Sequence, residues 1–181
     1  MIKGEYVIIL RDVKTLKELK RFRFKNVVTT NALVNIANAF NSLVFFQSQP
    51  PNPALAGGCP SIIRKYWYIV LGTGSGSPSP SDTNLFNPID LTAKNGSINV
   101  NGNQVTYWVR YLPEEANGYT YTEAGLFDIV SGSWVSPKPG QYVWQWGNYY
   151  NGVLLTHVMF PQSVVKTGTI LLDVYAIITI G

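Results

Sequence analysis

From residue 62 onward the apolar residues of this 181-residue chain recur at every second position or run together without a polar break. A period of two is the signature of a β-strand, whose successive side chains point to opposite faces. The stretches 66–71, 104–112, 123–130, 141–146, 152–160 and 169–180 fit it. Between them lie turn-forming clusters: the Gly/Ser/Pro run 72–80, the segment 94–103 with its Asn95-Gly96 and Asn101-Gly102 pairs, and Asn117-Gly118. Short strands separated by such turns, with no helical pattern between them, predict an all-β fold, an antiparallel β-sandwich of jelly-roll-like form, rather than alternating strands and helices. The last run, rich in Ile, Val and Leu on both faces, fits a strand covered on both sides by its own core or by a neighbouring subunit.

The first 46 residues follow a different plan. An apolar run at 5–10 and an alternating run at 21–28, joined by a polar connection over 12–20, predict a hairpin. Thr29-Thr30-Asn31 then offers side-chain oxygens for an N-cap. Leu33, Ile36, Ala37, Phe40, Leu43 and Val44 follow at helical spacing and predict one amphipathic N-terminal helix over 31–46. Pro50, Pro51 and Pro53 forbid its continuation. The length suits one domain around one core. Its parts are a basic N-terminal hairpin (1–28), a helix (31–46) and a sandwich body (62–181).

Charge sharpens this division. Charged residues are 13% of the chain, against roughly 25% in an average soluble domain. The net charge of +4 is confined to the start: residues 1–25 hold eight bases and three acids, and the remainder is close to neutral. A nearly neutral exterior suits surfaces that meet other protein surfaces. In Arg21-Phe-Arg-Phe-Lys25 the bases alternate with aromatics, which predicts a strand with one cationic and one apolar face. That cationic face reads first as a solvated one that discourages edge pairing. Lys20, Arg21, Arg23 and Lys25 are also the candidates for contact with nucleic acid or a partner, of which nucleic acid is the less favoured. No apolar stretch approaches the ~18 residues of a membrane-spanning helix, and the apolar start is too short for a signal-peptide core, so the chain reads as intact and soluble.

Candidate chemistry is sparse. His157 is the single histidine, and between Leu155 and Met159 it reads as a packed side chain in preference to a general base. The acids outside the hairpin are scattered. Glu114 and Glu115 are adjacent, but strand neighbours point to opposite faces and do not make a catalytic carboxylate pair. Cys59 is alone, so neither an intrachain disulfide nor a thiol metal site is expected. Leu71-Gly-Thr-Gly-Ser-Gly-Ser-Pro-Ser-Pro80 lacks the residue order and the following helix of a phosphate-binding loop. No catalytic residue, metal ligand or cofactor site is expected, and the chain is not read as an enzyme. The densest aromatic cluster, Trp134, Tyr142, Trp144, Trp146, Tyr149 and Tyr150, suits a core, a subunit interface or stacking on sugar rings.

Several stretches carry a family likeness. Tyr68-Ile-Val-Leu-Gly-Thr-Gly-Ser-Gly-Ser-Pro-Ser-Pro-Ser-Asp-Thr-Asn-Leu85 and Tyr119-Thr-Tyr-Thr-Glu-Ala-Gly-Leu-Phe-Asp128 resemble blocks found in small virion structural proteins of tailed phages and related viruses. The opening Asn31-Ala-Leu-Val-Asn35 is similar to theirs. So is the ending, with Gly152 to Phe160, Pro161, Lys166-Thr-Gly168 and Leu172 to Ile180. The blocks keep the expected order over about residues 31–180. The hairpin 1–28 and the aromatic stretch 131–151 have no counterpart in that pattern. The resemblance implies a virion component of the tail, collar, spike or capsid surface, made in the host cytoplasm, whose partners are copies of itself and other virion proteins. It carries over no catalytic or cofactor residue. The alternative is a carbohydrate-binding or host-attachment module that grips a host surface glycan through the cluster at 134–150.

Overall fold

The computed structural model describes residues 2–34, 66–129, 132–138, 141–146 and 153–181. Eleven strands account for most of them. They are β1 (Ile2–Asp12), β2 (Glu18–Val28), β3 (Tyr66–Gly72), β4 (Lys94–Asn95), β5 (Ser97–Asn101), β6 (Gln104–Tyr111), β7 (Thr120–Ile129), β8 (Gly132–Lys138), β9 (Gln141–Trp146), β10 (Val153–Val165) and β11 (Ile170–Ile180). Nine form one ladder in the order β4-β3-β7-β10-β2-β1-β11-β6-β5, antiparallel at every step. Among the described residues β8 and β9 pair only with each other.

The two ends of the nine-strand ladder, β4 and β5, are consecutive in the chain with Gly96 alone between them. The segment 94–101 therefore lies along β3 with its first half and along β6 with its second, and the sheet curls into a near-closed barrel. A glycine is required at the corner. A Cβ at Gly96 would stand 2.0 Å from the Trp108 carbonyl oxygen, which is backbone and cannot yield. The seam is held by the Tyr111 hydroxyl, which donates to the Ile69 and Thr92 carbonyls on the β3 side. Where the strand pattern led to a jelly-roll-like sandwich, the pairings run round a single barrel. Alternation marks the faces of a strand, and both architectures use the same alternation.

The interior is filled by side chains, as expected of a barrel of about eight strands. Tyr6, Ile8, Ile69, Leu71, Tyr107, Tyr111, Tyr121, Leu126, Leu155, Val174 and Ile178 are among its buried residues. Phe22 and Phe24 pack against this core from β2, and Phe24 stacks on Phe160. The hairpin of β1 and β2 is thus central to the barrel. Its strands are longer than the alternation suggested, and the connection shrinks to a tight turn in which Asp12 Oδ1 accepts the Lys14 and Thr15 N–H groups. Thr29 supplies the expected N-cap: its hydroxyl accepts the Ala32 N–H at 3.2 Å, and residues 30–34 form a first helical turn. The rest of the helix expected over 31–46, and Cys59, lie outside the described residues.

A second, smaller cluster of Val70, Leu85, Phe127 and Leu154 lies on the outer face of β3, β7 and β10. The long connection 73–93 covers it by laying Leu85 onto the sheet. Gly125 makes room for this: a Cβ there would meet Leu154 and Leu85 carbons at 2.8 and 2.9 Å.

Candidate functional site

The connection 73–93 has few apolar residues to hold it against the barrel, and a polar clasp supplies the anchor. β7 alternates Ala124 and Leu126 into the core, which turns Glu123 outward under the connection. β10 places His157 beside it. Both are fully buried. His157 Nε2 lies 2.9 Å from Glu123 Oε2, and Nδ1 lies 2.6 Å from Asp82 Oδ2, which comes from the connection itself. A carboxylate at each ring nitrogen favours the protonated ring, in which both nitrogens donate. The Phe86 ring packs over it, with centroids 4.8 Å apart.

Glu123 is bound from the other side by backbone. Oε1 accepts the Gly74 N–H at 3.0 Å and the Asn87 N–H at 2.7 Å, and Oε2 accepts the Phe86 N–H at 3.0 Å. The glycine run therefore does cradle an anion, but the anion is the protein's own carboxylate. A Cβ at Gly74 would fall 2.5 Å from Glu123 Oε1 and 2.8 Å from the Asn87 nitrogen, so the cradle can close only around a glycine. Burial works against the charge of both groups, yet the hydrogen bonds outweigh it. They hold the Glu123 carboxyl below the usual range and the His157 imidazole above its own. Both ring nitrogens and both Glu123 oxygens are engaged within the fold, so the trio in this state locks a loop and offers none of those atoms to a substrate. The packed histidine expected from sequence is buried, but in a charged network rather than among apolar neighbours.

The basic residues of the hairpin separate by face. Arg21, Arg23 and Lys25 alternate with the inward Phe22 and Phe24 and lie on the outside of the barrel, whereas Lys20 pairs with Leu10 and reaches Gln162. Lys20 therefore does not share a surface with the other three. Arg21 is tied to Glu18, and Arg23 to Glu5. Next to them the fully buried Asp173 is gripped by Arg11 Nε at 2.9 Å and by Arg110 through Nε and Nη2 at 2.6 and 2.9 Å. Arg110 also lies over the Trp108 ring, which stacks with Tyr175. Most of the cationic charge on this face is thus matched by acids of the same chain. At the other end Lys166 is buried, with its ammonium donating to Asn117 Oδ1 at 3.0 Å and to the Pro113 and Thr167 carbonyls.

Comparison with protein-family models, curated proteins and solved structures finds no match to this chain. Among the described residues no group of His, Cys, Asp and Glu is arranged to hold a metal ion, and no helix is long and apolar enough to cross a membrane. Of the aromatic cluster, Trp134 lies on β8 and Tyr142, Trp144 and Trp146 on β9, with Trp134 in register with Trp144. Tyr149 and Tyr150 lie outside the described residues.

Reading the sequence did not assemble Asp82, Glu123 and His157. Glu123 and Asp82 lie 34 and 75 positions from His157, and the one local contact among the three, the Ser79 N–H donating to Asp82 Oδ2, gives no sign of the other two. A usable signal was nonetheless present: each falls in one of the family-like blocks, at a polar position within an otherwise apolar or turn-forming stretch.

Proposed function

We propose that this chain is a structural component of a virion, in the tail, collar, spike or capsid surface, and acts by self-assembly and by contacts with other virion proteins. The observation that carries the reading is the convergence of its family-like blocks. Gly74 and Asp82 come from the first, Glu123 from the second and His157 from the last, and together they make one buried clasp. Such a clasp rigidifies a surface loop, which suits a particle component that works by shape. Among the described residues a nearly closed barrel leaves few open strand edges, so contacts between copies fall on its outer faces, on the β8–β9 hairpin and on the edge that stays open. The test is light scattering and electron microscopy of the purified protein, with mass spectrometry of particles. Defined oligomers and recovery from virions support the role; a strict monomer absent from every particle overturns it.

A second reading is favoured by the separate β8–β9 hairpin, whose Trp134 and Trp144 pair outside the barrel ladder. There the cluster 134–150 binds a host surface glycan. A glycan array then shows a ligand, and Trp144→Ala or Trp146→Ala abolishes its binding. No ligand on the array removes this reading.

A further inference from the structure

We propose that β5 is a homotypic docking edge: two copies of this chain pair their β5 strands antiparallel about a two-fold axis at Asn99, joining their barrels through one continuous sheet. The inference rests on the assembly role above and names a surface that serves it.

β5 ends the ladder, with β6 on one side and no strand on the other among the described residues. All five of its residues are exposed, including Ile98 at 53% and Val100 at 64%. An open edge presents a row of unpaired N–H and C=O groups, and proteins normally guard it with a lysine, a proline, a bulge or a covering segment. Ser97-Ile-Asn-Val-Asn101 has no charge and no proline, and its pairs with β6 run without a register shift. Among the described residues nothing guards this edge.

The residue order selects the occupant. Read about Asn99, the strand is self-complementary, with an apolar residue one position away on each side and a polar one two positions away. A two-fold there sets Ile98 beside the partner's Val100 and Ser97 beside the partner's Asn101, as an isologous contact requires. The backbone agrees. β5 and β6 are joined by a two-residue turn whose closing pair, Asn101↔Gln104, is of the hydrogen-bonded kind. Antiparallel alternation then turns the N–H and C=O of Ile98 and Val100 toward the open edge. These are the groups that the two-fold joins. Asn99 and the partner's Asn99 become the close, non-hydrogen-bonded pair. The flanking positions Ser97, Asn99, Asn101, Gln104 and Thr106 are uncharged, so among the described residues no like charges meet across the axis. Two five-residue strands bury less than the roughly 1,200 Å² of a standard stable interface. The contact is weak for a free pair and gains strength where many copies are held together.

Disulfide trapping reads a weak contact directly. In the full chain with Cys59→Ser, Asn99→Cys places two thiols on residues whose Cα atoms are about 4.5 Å apart across the axis, within the range a disulfide bridges. Ser97→Cys places them about 14 Å apart, too far to bridge. Mild oxidation is expected to give at least tenfold more covalent dimer at position 99 than at 97, and adding Val100→Lys is expected to reduce the yield at 99 at least tenfold. No dimer at 99, or equal yields at the two positions, overturns the proposal. Sedimentation velocity of the same samples separates the two ideas. Oligomers without trapping at 99 reject this edge and leave the assembly role standing, whereas a strict monomer without trapping that is also absent from every particle removes both.

Discussion

The ion contact between the His157 imidazolium and the Glu123 carboxylate stabilises the fold only while both keep their charge. His157 is raised above its ordinary pKa, so its contribution to stability is complete below about 6.5 and is lost as pH rises through the folded value. Glu123 is lowered, so its contribution is present above about 4.5 and is lost as pH falls through its folded value. The melting temperature is therefore expected to plateau between these limits and to decline on the alkaline side. His157→Gln should flatten that alkaline decline, which a series of thermal melts against pH would read; an unchanged slope would refute the assignment. Removing Glu123 is more severe, because three backbone N–H groups and the imidazolium then lack their acceptor. Glu123→Ala is expected to cost about 3–5 kcal/mol in urea denaturation. The alternation of β7 already turned Glu123 away from the core. What it faced was not readable, because its partners lie in the connection 73–93 and on β10.

Between elements, the decisive position is the corner at Gly96. Gly96→Ala pushes a Cβ into the Trp108 carbonyl of β6 and forces the corner away from that strand. The expected result is a loss of at least 2 kcal/mol in chemical denaturation, with faster amide exchange at the β3–β4 and β5–β6 pairings than at β1–β11. Uniformly faster exchange would mean that the corner does not act as a closure. The sequence marked Asn95-Gly96 as a turn, and the glycine is needed, but it bends one strand between two neighbours instead of reversing the chain. Strand positions were far more legible. The hairpin of β1 and β2, and the strands β3, β6, β7, β10 and β11, were all visible from their alternation. β5 was absorbed into a loop, since its Asn-rich composition resembles a turn and only its pairing with β6 makes it a strand.

For the molecule as a whole, the ladder divides what carries stability from what is appended to it. Among the described residues β8 and β9 pair with no barrel strand, while β7 and β10, on either side of them in sequence, pair directly through Asp128↔Val153. Replacing residues 130–152 by a short glycine-containing turn is therefore expected to leave the barrel melting within a few degrees of the intact chain, by circular dichroism. A collapse of the fold would show that the hairpin is part of the core. The variant also separates the readings of the aromatic cluster, since glycan binding through 134–150 would vanish while pairing through β5 would persist.

Sequence by itself determined the alternation of faces along the strands it revealed and an N-cap within Thr29–Asn31, because each follows from side-chain period or local backbone chemistry. Tertiary structure decided the order of strands around the barrel, its closure at Gly96, the union of Asp82, Glu123 and His157, and the open edge at β5. The reason is one of range. Alternation and turn chemistry act over a few residues, whereas pairing and ion contacts join positions far apart in the chain, and a strand's own residues do not name its neighbour.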